Sequence, residues 1–228
     1  MEFRRYGIYY TPQDGAFAEA GARWLGWNSA TGKSAAPPPL RDLPFPLDDI
    51  TATPRKYGFH ATFKPPFRLA PDCDAKALTQ AFDEHCQSLG PVALDGLKLA
   101  ALGRFMALVP EGDIADLAAL AASCVRDLDR FRAPATAQEL AKRRATGLTS
   151  RQDALLEKWG YPYVLDEFRF HMTLTGKLPK DALAEVASAL AAHVLPHVPR
   201  PVPIEALSLM GEDGTGRFHL IHRRALSG

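Results

Sequence analysis

The chain has 228 residues, 46% of them hydrophobic, which suffices for one large domain or two lobes around a sizeable core. Its 27 basic and 26 acidic residues leave a formal charge of +1, with no excess for wrapping long nucleic acid or lying on an anionic membrane. Cys73, Cys86 and Cys124 are odd in number and form no C-x-x-C, against both a disulfide framework and a thiolate metal site. The opening MEFRRYGIYY carries charges where a secretory leader needs an apolar run, and no stretch of about 18 apolar residues follows, so a cytoplasmic protein with no membrane contact is expected.

In chain order, YGIYY (6–10) reads as a strand and Phe17 to Trp27 as a helix. From Asn28 to Pro54 the Pro, Ala and Asp content predicts a long loop with little regular structure. Within it ATGKS resembles the end of a phosphate-binding loop. Trp27 stands where that motif needs its first glycine, and a helix precedes where it needs a strand, so no nucleoside triphosphate site is expected. YGFHATFKPPF alternates polar and apolar residues as a strand does. Leu78, Phe82, Cys86 and Leu89 then mark a helix closed by Gly90-Pro91, followed by strands in VALDGLKLAAL and GRFMALVP.

Ile114, Leu117, Leu120, Cys124, Leu128 and Phe131 give a long helix, followed by helices over about 135–145 and 150–159, the second opened by a Thr149-x-x-Gln152 capping box. This insert carries Lys142, Arg143, Arg144 and Arg151, expected as a solvated face, with a basic flap near an anionic substrate as the sharper alternative. FRFHMTLTGKL reads as another strand. Leu183, Val186, Leu190 and Val194 mark a helix broken at Pro196, and PIEALSLMG and GRFHLIHR read as strands.

Phe59-His60-Ala61-Thr62 thus has a near copy in Phe170-His171-Met172-Thr173, 111 residues later, and Gly103-Arg104-Phe105 one in Gly216-Arg217-Phe218. The repeated unit is a strand with F-H-x-T, a helix, a strand, and a strand with G-R-F. One two-lobed domain over 1–228 is expected, with repeats at about 55–110 and 166–225 around a helical insert at about 113–160.

Strand alternation puts His60, Thr62 and Lys64 on one face and Phe59, Ala61 and Phe63 on the other. In the second copy it puts Arg169, His171, Thr173 and Thr175 together, with Phe168, Phe170, Met172 and Leu174 behind. A duplicated fold keeps its core pattern for structure alone, but that does not require the polar face to repeat. Two histidines across a cleft suit a reaction that removes one proton and delivers another, since one imidazole can wait neutral while the other waits protonated. Phosphodiester hydrolysis has this requirement. Thr62 and Thr173 can donate to phosphoryl oxygens, and Lys64, Tyr57 and Arg169 are candidates to hold the phosphate.

Metal binding competes for histidine, but two ligands are too few for a closed zinc site. His193 and His197 are separated by the helix-breaking Pro196, and His219 and His222 fall on opposite faces of their predicted strand. With His85, these four are expected to be structural or exposed. No metal or cofactor is expected.

The paired H-x-T motifs, with PRKYGFHATFKPPF and WGYPYVLDEFRFHMTLTGKL around them, resemble the two-histidine (2H) phosphoesterase superfamily, and within it the subfamily associated with bacterial phosphonate metabolism. The likeness runs from RRYGIYYTP to GRFHLIHRR. It implies an α+β fold with two lobes related by a pseudo-twofold axis, two antiparallel sheets lining a central cleft, and helices outside. His60 and His171 fall on the superfamily's catalytic histidines, Thr62 and Thr173 on its motif hydroxyls. The activity implied is metal-independent hydrolysis of a small cyclic phosphate, such as the 5-phosphoribosyl 1,2-cyclic phosphate that arises in carbon–phosphorus bond cleavage. The alternatives are an RNA-end 2′,3′-cyclic phosphodiesterase or ligase-like enzyme, and a non-catalytic phosphate or nucleotide sensor. The partner expected is a small phosphorylated substrate or, in the RNA reading, RNA ends, with no obligate protein partner. Pseudo-symmetry leaves open which histidine is acid and which base.

Overall fold

The computed structural model describes residues 2–40 and 43–228. In chain order they form β1 (Arg5–Tyr10), α1 (Ala16–Leu25), α2 (Leu47–Arg55), β2 (Ala61–Phe67), α3 (Ala75–Gln87), β3 (Val92–Leu94), β4 (Gly96–Leu102), β5 (Phe105–Glu111), α4 (Ala115–Asp127), α5 (Ala137–Arg144), α6 (Ser150–Trp159), β6 (Met172–Thr173), α7 (Leu183–His193), β7 (Val202–Ile204), β8 (Ala206–Glu212) and β9 (Phe218–Ala225). This is the α+β class with antiparallel sheets that the sequence implies.

The sequence strand, helix, short strand, strand, strand occurs twice, as β2-α3-β3-β4-β5 and as β6-α7-β7-β8-β9. The two copies do not stand apart. They share one seven-stranded sheet of order β4-β5-β6-β2-β1-β8-β9, and their short strands β3 and β7 pair as a separate two-stranded ribbon. Each H-x-T strand lies on the side of the sheet that holds the other copy's hairpin: β6 pairs with β5, and β2 reaches β8 through β1. The helices cross over as well, α3 packing on β8 and β9 while α7 packs on β4 and β5. The two expected sheets are therefore the halves of one, joined where Ala61 pairs with Met172.

The core lies between sheet and helices. Phe59, Ala61, Phe63, Phe170, Met172 and Leu174 are all buried in it, as the alternation requires. Phe17 meets Phe59 edge-on at 5.0 Å. Gly21 lets α1 lie directly on the Phe59 ring, because a Cβ there would run into it. Trp24 Nε1 donates to the Leu174 carbonyl at 2.9 Å, tying α1 to the second H-x-T segment as well.

Three sequence expectations change. The segment 28–54 is not all loop: Leu47–Arg55 forms α2, with Asp48 and Asp49 in its first turn and Arg55 in its last, complementing the helix dipole. Pro54 sits in the final turn. The second H-x-T strand shrinks to Met172–Thr173, because Thr175 Oγ1 accepts from Met106 N at 2.9 Å and replaces the next ladder bond. Finally, the register of β8 and β9 shifts between Leu209 and Met210, so that His219 opposite Gly211 and His222 opposite Leu209 come to the same face rather than opposite ones. The ATGKS stretch forms a turn closed by an Asn28 to Lys33 bridge; α1 precedes it, and among the described residues no helix follows before α2.

Candidate active site

The Ala61 to Met172 pair sets the site. The strands are antiparallel, so carrying that register one residue either way puts His60 beside Thr173 and Thr62 beside His171. All four lie on the face opposite the buried Ala61 and Met172. Directly opposed residues have Cβ atoms about 4.5–5.5 Å apart and diagonal ones about 7–8 Å, so the histidines occupy one diagonal of a small square and the threonines the other.

Both imidazoles are held the same way. His60 Nδ1 lies 2.9 Å from the Gly58 carbonyl, and His171 Nδ1 lies 2.8 Å from the Arg169 carbonyl. A carbonyl only accepts, so each Nδ1 carries the proton and each Nε2 of a neutral ring is left with its lone pair. Thr62 Oγ1 is 3.3 Å from His60 Nε2 and donates to it in that state. Gly58 makes the first anchor available. Its φ of 75° is left-handed, and a Cβ there would come within 2.8 Å of Ser29 Oγ, so space and backbone both demand glycine.

The surroundings of the two rings differ. His60 lies against Tyr9 at 4.3 Å between centroids and is stacked by Tyr57 at 5.5 Å and 23°, and Tyr57 is stacked in turn on Phe218 at 4.8 Å. Near His171 the aromatic neighbour is Phe105, at 6.2 Å. Burial pushes the His60 pKa down to about 4, against the pull of the Gly58 carbonyl and with a further push from the neighbouring His171. His60 is thus a neutral ring at physiological pH.

Of the residues proposed to hold phosphate, Tyr57 is at the site, beside His60. Arg169 has an exposed side chain two residues before His171 and lends its carbonyl to that ring. Lys64 is a correction. Between Ile8 opposite Lys64 and Tyr9 opposite Thr62, β2 carries one residue more than β1. This bulge turns Lys64 to the other side of the sheet, under α4, where it is 1% exposed. There its Nζ donates to the Val125 carbonyl at 2.9 Å and to Asp129 Oδ1 at 3.0 Å. Thr175, placed by alternation with His171, is likewise sealed into the backbone.

Tyr9, Phe105 and Phe218 are site residues that strand reading alone missed. The repeated G-R-F motif held the signal for the two phenylalanines, since each follows a hairpin turn and reaches the wall beside one histidine. Tyr9 had no motif to mark it. Of the remaining histidines, His219 pairs with Asp213 at 2.8 Å, His222 with Asp83 at 2.7 Å, and His85 lies 3.4 Å from Asp127, all away from the pair. Among the described residues, no three His, Cys, Asp or Glu side chains gather as a metal site needs.

The chain belongs to the family described as protein of unknown function DUF1045, which it matches over residues 62–219, from Thr62 to beyond the second G-R-F motif. It is 39% identical over 223 residues to a protein of Janthinobacterium sp. (strain Marseille) called ribose 1,5-bisphosphate phosphokinase PhnN, covering 93% of this chain and 48% of that one. A protein of the same name from Laribacter hongkongensis (strain HLHK9) is 31% identical over 223 residues, covering 93% and 49%. The chain therefore spans about half the length of the curated relatives it matches. Among solved structures, one described as the crystal structure of a phosphoesterase aligns over 99% of both chains with 16% identity and a TM-score of 0.41.

Proposed function

We propose that this chain is a metal-independent phosphodiesterase of the two-histidine type that opens a cyclic phosphate on a phosphorylated ribose. The observation that carries the reading is the square set by Ala61 and Met172, with two identically anchored imidazoles on one diagonal and two hydroxyls on the other.

In this mechanism neutral His60 is the base. Its Nε2 takes a proton from water as the water oxygen bonds to phosphorus, and the faces of Tyr9 and Tyr57 stabilise the imidazolium that forms. An anionic substrate raises the low resting pKa of His60 when it binds, bringing the ring nearer to a useful base. Once His60 is protonated, Thr62 no longer donates to Nε2 and can turn its hydroxyl to a phosphoryl oxygen. His171 enters the step as the imidazolium, with protons on both nitrogens, and gives its Nε2 proton to the sugar oxygen as the bond from that oxygen to phosphorus breaks. Thr173, on the other corner, donates to the phosphoryl group. Each proton transfer is worth about 10²–10⁴-fold.

The relatives' name bears on the sugar. Hydrolysis of a 1,2-cyclic phosphate on ribose 5-phosphate, with cleavage of the bond between phosphorus and O2, leaves phosphates at C1 and C5. That product is ribose 1,5-bisphosphate, the compound named for the longer relatives' kinase. The sequence of this chain holds no complete phosphate-binding loop to support the kinase chemistry itself, so a diesterase that supplies that kinase's substrate fits this chain better than a kinase.

Phosphorus NMR tests the reading. The 1,2-cyclic phosphate of ribose 5-phosphate is expected to convert to a phosphomonoester faster than a 2′,3′-cyclic mononucleotide does, and undiminished in chelator. Ligand binding without ring opening would replace the enzyme with a sensor, and preference for a cyclic-ended oligonucleotide would move the substrate to RNA.

A further inference from the structure

The face that carries the two histidines can be followed along one row of the sheet. Lys98 on β4 lies opposite Val109 on β5, and Thr62 on β2 lies opposite Tyr9 on β1. Carrying the Leu108 to Met172 pair one residue puts Val109 opposite His171, which the Ala61 to Met172 pair already sets beside Thr62. The row thus runs Lys98, Val109, His171, Thr62, Tyr9. Burial on β4 and β5 agrees with this facing: Leu97, Leu99, Met106 and Leu108 pack in or against the core, while Lys98 is exposed and Val109 half-buried.

The two sides of the histidine pair are unlike. Toward β1, β8 and β9 the face is filled, because Tyr9 and Tyr57 lie on His60 and Phe218 packs behind them. The cation on that side, Arg223 opposite Ser208, is tied down: its Nη2 donates to Thr11 Oγ1 at 2.8 Å and to the Pro12 carbonyl at 3.3 Å. Toward β5 and β4 the floor is Ala107, beside Thr173, then Val109, and Ala100 opposite Ala107. These short side chains leave room above them for whatever part of a ligand the histidines do not hold. Lys98 stands at the far side of that floor, two strands from β6, about 9–10 Å away at 4.7–4.9 Å per strand. Its ammonium has no carboxylate partner among the described residues, and Glu111, the acid on the same face of β5, is taken by Arg200. The basic residues of the insert differ in this respect, since Arg144 pairs with Asp153 and Glu157 and Arg151 with Asp166.

We infer that Lys98 binds the second, non-reacting phosphate of the substrate, which lies over Ala107 and Val109. The role rests on the cyclic phosphodiesterase reading, in which the reacting phosphate lies between His60 and His171 and the sugar carries another phosphomonoester. That group hangs from C5 on a rotatable arm. An ammonium with three donors on a flexible stem can follow it, where a rigid fork would demand one orientation. Lysine also guards an edge strand such as β4 against pairing with another chain, a role that needs no ligand. Selectivity for the second phosphate separates the two.

Calorimetric titration of the full chain with ribose 1,5-bisphosphate and with ribose 1-phosphate tests this without depending on turnover, since the two differ only in the second phosphate. The bisphosphate should bind about 10–100-fold more tightly, the range for a hydrogen bond to a charged group. Lys98→Gln should remove that preference and leave the affinity for ribose 1-phosphate unchanged, and Lys98→Arg should keep most of it. Lys142→Gln, on α5, which packs on α6, should alter neither. No preference in the wild type, or equal weakening of both ligands in Lys98→Gln, would overturn the assignment. So would a preference that survives Lys98→Gln, whether or not Arg169→Gln removes it, and Lys98 would then be a guard of its edge strand. Failure of the catalytic reading looks different: the bisphosphate is still preferred through Lys98, while no cyclic phosphate is opened in the phosphorus NMR assay.

Discussion

Tyr9 is the residue that makes the two histidines unequal. Its ring covers His60, while its own hydroxyl is buried with no hydrogen-bond partner among the described residues. Leaving such a group unsatisfied costs about 1–3 kcal/mol, so the ring is kept at the expense of stability. Tyr9→Phe is expected to raise stability by about 1 kcal/mol in denaturant unfolding and to leave kcat unchanged. Tyr9→Ala should let water reach His60 and move the acid limb of the kcat/KM profile up from about 4 toward about 6.5. A limb that stays in place would show that burial by Tyr9 is not what lowers the ring's affinity for protons. The same shift has a stability signature. Because His60 is depressed in the folded state, the unfolded chain takes up a proton that the folded one refuses, and stability falls as pH drops from about 6.5 to about 4. Tyr9→Ala should shrink that fall.

At the scale of the element, the β2 bulge decides which polar residues of the first motif belong to the site. Strict alternation placed Lys64 with His60 and Thr62, and this failed because one extra residue reverses the facing at Lys64, before a second irregularity sets in ahead of Phe67. Nothing in the residue types of 61–67 announces a bulge, since its cause is the pairing partner β1. Beneath the sheet, burial lowers the Lys64 pKa while Asp129 works to raise it, and Asp129 is held below the usual carboxylate range by Arg132 and Lys64 despite its own burial. The ammonium also satisfies the Val125 carbonyl near the end of α4. Lys64→Met should therefore cost about 2 kcal/mol in denaturant unfolding, while the folded protein keeps its KM and kcat. Raised KM at unchanged stability would return Lys64 to the phosphate. The positions that alternation did place correctly, from Phe59 to Thr62 and from Phe170 to Thr173, are those nearest the pairing point, before any irregularity accumulates. α2 was hidden for a related reason: its composition of Asp, Thr and Pro reads as loop, and what holds it is Arg55 reaching the Leu25 carbonyl at 2.8 Å and Asp48 at 2.5 Å.

For the whole molecule, the order of the elements was legible in the sequence, but the way they interlock was not. Each copy's helix covers the other's hairpin and each H-x-T strand sits on the other's side of the sheet. Periodicity reports which faces are apolar and says nothing of which copy covers them. The aromatic walls share that blindness, because Tyr9 reaches His60 only through the β1 to β2 pairing. The proposed function depends on the interlock: the square of His60, Thr62, His171 and Thr173 exists only where β2 and β6 meet, so on that reading neither histidine has a complete site within its own half. A single-turnover assay of ring opening on the 1,2-cyclic phosphate of ribose 5-phosphate, with wild type, His60→Ala and His171→Ala, tests this most directly. Each variant should fold and lose about 10²–10⁴-fold or more in rate. Wild-type turnover in either variant would contradict catalysis by the pair.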